Sequence, residues 1–184
     1  MVGTAGNLSA RLSDGSLWIT ASGRDKGALT PADFIRLSAD GEVIQRLAPE
    51  DRPSAEATIH TTVYALFPEV TACLHVHSVA ANLVSRMACD GRLPLPPLEM
   101  LKGLGRWEPD PQVSLDVLPN HSHVPDIARA LHAKLTEQAP DVPGFLIRDH
   151  GITAWAPTLR EASNHLELLD YLFRFIVESR RLGL

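Results

Sequence analysis

Cysteine is nearly absent from this chain. Cys73 and Cys89 are too few for a disulfide framework and too far apart for a CxxC metal or redox pair. No apolar stretch approaches the ~20 residues that a membrane-spanning helix needs. The opening MVGTAGNLSARLSDG lacks the basic-then-apolar order of a secretion signal. Basic charge is short as well: 17 Lys and Arg face 22 Asp and Glu, for a net charge of -5. That balance argues against a nucleic-acid backbone or an anionic membrane as the main partner, and no run of Lys or Arg suggests a local basic patch. Repeats, low-complexity tracts and Gly/Ser linkers are missing too. What remains is a soluble protein of a reducing cytoplasm.

Against these absences stand 184 residues with 45% hydrophobic and 21% charged side chains. That is ordinary globular composition, and the length fits one domain spanning residues 1–184. Strand and helix patterns alternate along it. Residues 7–11 and 17–21 alternate as a hairpin around a turn at 13–16, and Thr30-Pro31 opens a short helical turn. A helix is expected over 54–67, capped by Ser54, with Ile59, Val63, Leu66 and Phe67 on its apolar face. A buried-type strand at 71–77 and a helix at 79–88 follow. Residues 92–111 are proline-rich and read as mostly loop. A strand at 113–118, a helix at 125–138 and strands at 144–148 and 151–155 come next. Thr158-Leu-Arg-Glu161 is a capping-box sequence opening a last helix with Ala162, Leu166, Leu169, Phe173 and Ile176 at helical spacing. The pattern predicts an α/β layered domain, a mixed sheet flanked by helices.

Histidine carries the first chemical signal. In a strand, side chains two apart share a face, so His75 and His77 can converge on one metal ion, or simply end a strand as hydrogen-bonded polar residues. His150 sits in Arg148-Asp149-His150-Gly151, between two short strands, and offers a third imidazole or an ordinary turn residue. A second pair, His121 and His123, lies between Pro119 and Pro125, where capping and loop hydrogen bonds are the simpler role. His132 and His165 read as surface or packing residues.

Two glutamates are acid/base candidates. Glu56 opens a helix, where a carboxyl group gains ~0.3–1 kcal/mol from the helix dipole without further reason, and it lies one turn from His60. Glu99 follows Pro94-Leu-Pro-Pro-Leu98, an apolar, stiffened loop that favours proton transfer, though Lys102 is a ready ion-pair partner. The loops at 3–7 and 21–27 combine glycine, hydroxyls and flexible backbone. With Lys26 or Arg24 they suit a phosphate, and as tight turns they need no ligand. Gly103-Leu104-Gly105 lacks a third glycine and a preceding strand, so it is no dinucleotide motif.

Read in order, GTAGN, ASGRDKG, the PSAE helix start, LHVHS, LEMLKG, NHSHVP, IRDHGITAW and EASNHLELLDYLF resemble the class II, zinc-dependent sugar-phosphate aldolase family over nearly the whole chain. LEMLKG and RDHGITAW resemble its dehydratase branch more narrowly. The resemblance implies zinc, one ion per subunit, held by His75, His77 and His150. It implies acid/base roles for Glu99, as in the dehydratases, and for Glu56, as in the aldolases. Asn7, Ser22, Gly23 and Ser54 match positions that hold the substrate phosphate, with Lys26 beside them; Ala55 replaces a second serine common there. The implied activity is dehydration of 5-methylthioribulose 1-phosphate in methionine salvage. The alternatives are aldol cleavage or epimerisation of another ketose phosphate, or a non-catalytic interaction domain like the head of adducin. The implied assembly is a homotetramer with active sites at subunit boundaries. Relatives usually have an amphipathic helix before the glycine loop, which this sequence does not show.

Overall fold

The computed structural model describes residues 5–184, so Gly3 and Thr4 of the first glycine loop lie outside the described residues. Its strands are β1 (Gly6–Arg11), β2 (Leu17–Thr20), β3 (Phe34–Leu37), β4 (Val43–Gln45), β5 (Ala72–Val76), β6 (Arg92–Pro94), β7 (Ser114–Leu118), β8 (Gly144–Ile147) and β9 (Gly151–Ala156). They join in one sheet ordered β4-β3-β2-β1-β5-β9-β8-β7-β6. The helices are α1 (Ala57–Leu66), α2 (Val79–Ser85), α3 (Val124–Glu137) and α4 (Leu159–Leu182), with 3-10 turns at Pro31–Asp33 and Glu99–Leu104. Pairing is antiparallel except between β7 and β8, which α3 connects as a crossover. The sheet is therefore mixed, as the early hairpin predicts.

Alternation along the strands divides the core into two layers. On one face Ile19, Ile35, Leu37, Cys73, Phe145 and Trp155 pack with Ile59 and Val63 of α1 and Ile127 and Leu131 of α3. On the other, Leu115, Leu146, Ile152 and Ala154 meet Ala81 and Val84 of α2, Leu101 and Leu104 of the 3-10 turn, and Leu166, Leu169 and Phe173 of α4. No helix among the described residues is long and apolar enough to cross a membrane.

Arg11, at the end of β1, locks α1 against the sheet. Its guanidinium donates to the carbonyls of Tyr64 (2.9 Å), Phe67 (3.3 Å), Pro68 and Val70 (2.5 Å), and lies over the Tyr64 ring. These include carbonyls that a helix C-terminus leaves without partners, so a cation there is favourable.

Several elements differ from the sequence reading. Ser54 does not cap α1. The helix begins at Ala57 with Glu56 at the N-cap. Ser54 N–H instead donates to Thr20 O at 3.2 Å, and Ala21 bridges Pro53, so residues 53–54 run along the sheet rather than into the helix. The segment 92–111 contains β6 and a 3-10 turn, and β3 and β4 extend the sheet beyond the first hairpin. These strands are only three or four residues long, and every residue of β4 is exposed, so no alternation marks it. At the last helix, Thr158 Oγ1 accepts from Glu161 N–H (3.2 Å) and donates to Glu161 Oε2 (2.8 Å), a variant of the expected capping box.

Candidate active site

Strand β5 carries His75, His77 follows directly after its last residue on the same side, and the turn between β8 and β9 brings His150 beside them. Ring centroids lie 4.6–4.9 Å apart, and one nitrogen from each ring falls within 4.8 Å of the others. His75 Nε2 and His77 Nε2 are 2.9 Å apart. A tetrahedral ion with nitrogen ligands at ~2.0–2.1 Å holds them ~3.3 Å from one another, a spacing between the 2.9 Å of the His75–His77 pair and the 4.8 Å that encloses all three.

The surroundings suit that use. His75 Nδ1 meets Thr153 Oγ1 at 2.9 Å, which fixes the ring and leaves Nε2 toward the centre. Thr153 faces His75 directly across the β5–β9 ladder. Burial holds the His75 pKa well below 6.5, reinforced by His150 and His77. Burial also lowers His77, with His150 adding to the effect and Glu56 opposing it. Imidazoles kept neutral in this way are in the form that can bind a metal. His150 Nδ1 is buried with no protein partner.

Two glycines make this convergence possible. A Cβ on Gly6 would sit 2.2 Å from His75 O, and the residue has φ +146. A Cβ on Gly151 would sit 2.4 Å from Val76 O and 3.0–3.1 Å from the rings of His77 and His75. Only glycine lets the neighbouring strands close on the histidines.

Glu56 adjoins the three rings. Its Oε1 lies 3.6 Å from His150 Nε2, while Oε2 accepts from Asn7 Nδ2 (3.0 Å) and Ser54 Oγ (2.6 Å). Asn7 and Ser54 thus orient this carboxyl group. Ser22 N–H donates to Arg52 O at 2.9 Å, so the 22–23 loop runs beside the segment leading to Ser54. Lys26 lines a cleft with Gly6, Asn7 and His75, and its ammonium donates to Ala21 O (3.2 Å) and Arg24 O (3.0 Å). Burial lowers its pKa from 10.5. Arg24 is occupied by Asp51 and Asp33.

The structure does not bring Glu99 to this cluster. Glu99 stands on the 3-10 turn whose leucines pack in the α4 layer, on the face of the sheet away from His75. Its side chain is 81% exposed and pairs with Lys102 Nζ at 2.7 Å. His121 and His123 are exposed, and His123 Nδ1 pairs with Asp126 Oδ1 at 2.9 Å. His132 is exposed, and His165 Nδ1 meets Trp155 O at 2.8 Å.

Thr153 escaped the sequence reading, although its place two residues after Gly151 puts it on the His75 side. A buried polar chain beneath the site escaped as well. Ser9 Oγ lies 2.7 Å from both His60 Nδ1 and Tyr64 Oη, and His60 is fully enclosed. Ser9 and Asn7 share the β1 face toward α1, which strand alternation shows.

A mixed α/β sheet with three histidines at a strand end and a carboxyl group against one of them makes a candidate metal centre. The family model described as "Class II Aldolase and Adducin N-terminal domain" matches residues 1–177, and the chain belongs to that family. Among curated relatives, a methylthioribulose-1-phosphate dehydratase of Microcystis aeruginosa is 50% identical over 177 residues, covering 96% of this chain and 86% of the relative. A protein of the same name from Leptospira biflexa is 38% identical over 183 residues, covering 95% and 87%. Among solved structures, Escherichia coli YgbL superposes with TM-score 0.78 at 28% identity, covering 97% of this chain and 80% of YgbL.

Proposed function

We propose that this chain dehydrates 5-methylthioribulose 1-phosphate to 2,3-diketo-5-methylthiopentyl 1-phosphate in methionine salvage. The observation that carries the reading is the 50% identity, over 96% of the chain, to a protein named for that dehydratase activity. The convergence of His75, His77 and His150 beside Glu56 supports it. The nitrogen donors fit zinc, which when bound supplies Lewis acidity to a substrate carbonyl.

The chain's own residues divide the remaining work. Ser22, Gly23 and Lys26 hold the phosphate, joined by the second amide hydrogen of Asn7, while Ser54 reaches it only by releasing Glu56 Oε2; the Lys26 ammonium beside the cleft supplies positive charge. Glu99 takes the C3 proton and returns it to the C4 hydroxyl, which leaves as water. The electron pair of the broken C3–H bond forms the C3–C4 double bond of an enol, and the enol becomes the C3 ketone. Glu99 stands on the layer away from the histidines of its own subunit, and in this reading it serves the centre of a neighbouring subunit in a homotetramer. Glu56, held by Asn7 and Ser54, is a second proton carrier or a hydrogen bonder within the pocket.

A second reading has one observation in its favour. Glu56, not Glu99, lies against His150 within the subunit, as acid/base work in an aldolase or epimerase acting on another ketose phosphate requires. The adducin-like interaction domain needs no ligand set, and this chain has one. Metal content and turnover of 5-methylthioribulose 1-phosphate test the enzyme reading together. The wild-type chain is expected to hold one zinc per subunit and to turn over, and His75→Ala to do neither. Turnover by metal-free His75→Ala protein contradicts the mechanism.

A further inference from the structure

We infer that helix α2 positions the third histidine of the centre, acting through Ser85 and Asp149. This rests on the reading of His75, His77 and His150 as metal ligands. The helix touches the flanks of two of them. Its N-cap, Ser78, directly follows His77 and accepts from Ala81 N–H at 3.1 Å, fixing the chain as it leaves that ligand. Its last turn grips the residue directly before His150.

That grip is built from two contacts of different kinds. Ser85 is fully buried, and its hydroxyl donates to Asn82 O at 2.7 Å. The proton being committed there, the oxygen is free to accept, and it takes Asp149 N–H at 3.0 Å. Arg86 Nε then binds Asp149 Oδ1 from the next position along the chain. The ion pair is largely exposed and contributes little to stability, whereas the Ser85 bond closes a buried donor.

Asp149 itself is in a backbone state that L-residues with side chains avoid. It has φ +55, the one positive φ in the three-residue turn from β8 to β9. Such positions favour glycine, with Asn and Asp the tolerated exceptions. The turn is otherwise pinned by Arg148 N–H to Leu118 O (2.9 Å) and His150 N–H to Ile147 O (3.1 Å). A glycine would relax the backbone and abolish the Arg86 contact. Retaining a side chain against that preference gives α2 a handle on the turn, and the His150 ring direction follows from the turn. Ser85 and Asp149 touch neither metal nor substrate; they are positioning residues.

The test separates positioning from general stability because the two move in opposite directions in one variant. Co2+ is titrated into the metal-free full-length chain against a competing chelator, following its visible absorption, and the melting temperature of the metal-free chain is recorded. Asp149→Gly is expected to keep or raise that melting temperature while weakening Co2+ binding several-fold, less than the loss from removing a group bonded directly to a ligand. Asp149→Asn, which keeps an acceptor for Arg86 and tolerates positive φ, is expected to bind like wild type. Ser85→Ala is expected to weaken Co2+ binding as well. Wild-type Co2+ affinity in both Asp149→Gly and Ser85→Ala overturns the inference, as does an affinity loss that only follows a lowered melting temperature. A wild-type chain that takes up no Co2+ overturns the metal reading itself, and with it this inference.

Discussion

Glu56 Oε1 lies 3.6 Å from His150 Nε2, so the carboxyl group nearest the three-histidine centre is the one at the start of α1. Its other oxygen is held by Asn7 and Ser54. The position makes the two candidate proton carriers comparable by experiment. A positioned acid/base contributes typically ~10²–10⁴ in rate. Glu99→Gln is expected to lose about that much kcat with zinc retained, and Glu56→Gln less. Steady-state rates with metal analysis on both variants check it; the reverse order favours aldol chemistry.

The exposure of Glu99 yields a second expectation. If Glu99 serves the neighbouring subunit, a mixed oligomer can rebuild an intact site from two damaged chains. Glu99→Gln supplies good histidines and His75→Ala supplies a good glutamate. Co-refolding the two inactive variants is expected to restore a measurable fraction of wild-type activity, while each refolded alone stays inactive. No recovery from a mixture shown to contain hetero-oligomers contradicts the cross-subunit role.

His60 makes the metal-free protein sensitive to acid. Burial lowers its pKa from 6.5 to about 4, with Glu56 opposing the shift. Between those values the unfolded chain binds a proton that the folded chain refuses, so stability is full above pH 6.5 and falls as pH drops toward 4. That difference corresponds to about 3 kcal/mol. Denaturant unfolding of His60→Gln is expected to show a correspondingly smaller loss across that window. An equal loss in both proteins shows that other groups carry the acid response.

Gly151 is the residue whose enlargement should damage the centre most directly. An added Cβ meets Val76 O at 2.4 Å and crowds the rings of His75 and His77. Gly151→Ala is expected to cost about 1–3 kcal/mol, the usual range for overpacking, and to weaken zinc binding. Chemical denaturation and chelator competition measure the two effects; wild-type values for both would show that the strands yield easily.

Much of this architecture is readable from residue patterns because the signals are local. The hairpin of β1 and β2, the last helix with Thr158 at its N-cap, and the shared face of His75 and His77 each follow from spacing within a few residues. Gly151 beside His150 marks a turn for the same reason. The short edge strands leave little pattern: β4 is exposed throughout, and β6 consists of Arg92, Leu93 and Pro94. Nor does sequence spacing reveal that Ser54 spends its hydroxyl on Glu56 instead of the helix cap, since a pairing from Thr20 sets that geometry. Thr153 behind His75 depends on β5–β9 register, and the burial of His60 depends on how α1 lies against β1. Glu99 shows the other limit. Its motif sits in the expected order along the chain, yet the fold of one subunit sends it to the far layer.

The most direct measurement is proton and phosphorus NMR of the zinc-loaded protein incubated with 5-methylthioribulose 1-phosphate. The expected result is loss of the ketose signals with growth of 2,3-diketo-5-methylthiopentyl 1-phosphate and no change in the number of phosphorylated carbon skeletons. Cleavage to a triose phosphate, or an unchanged substrate with zinc bound, would contradict the dehydratase reading.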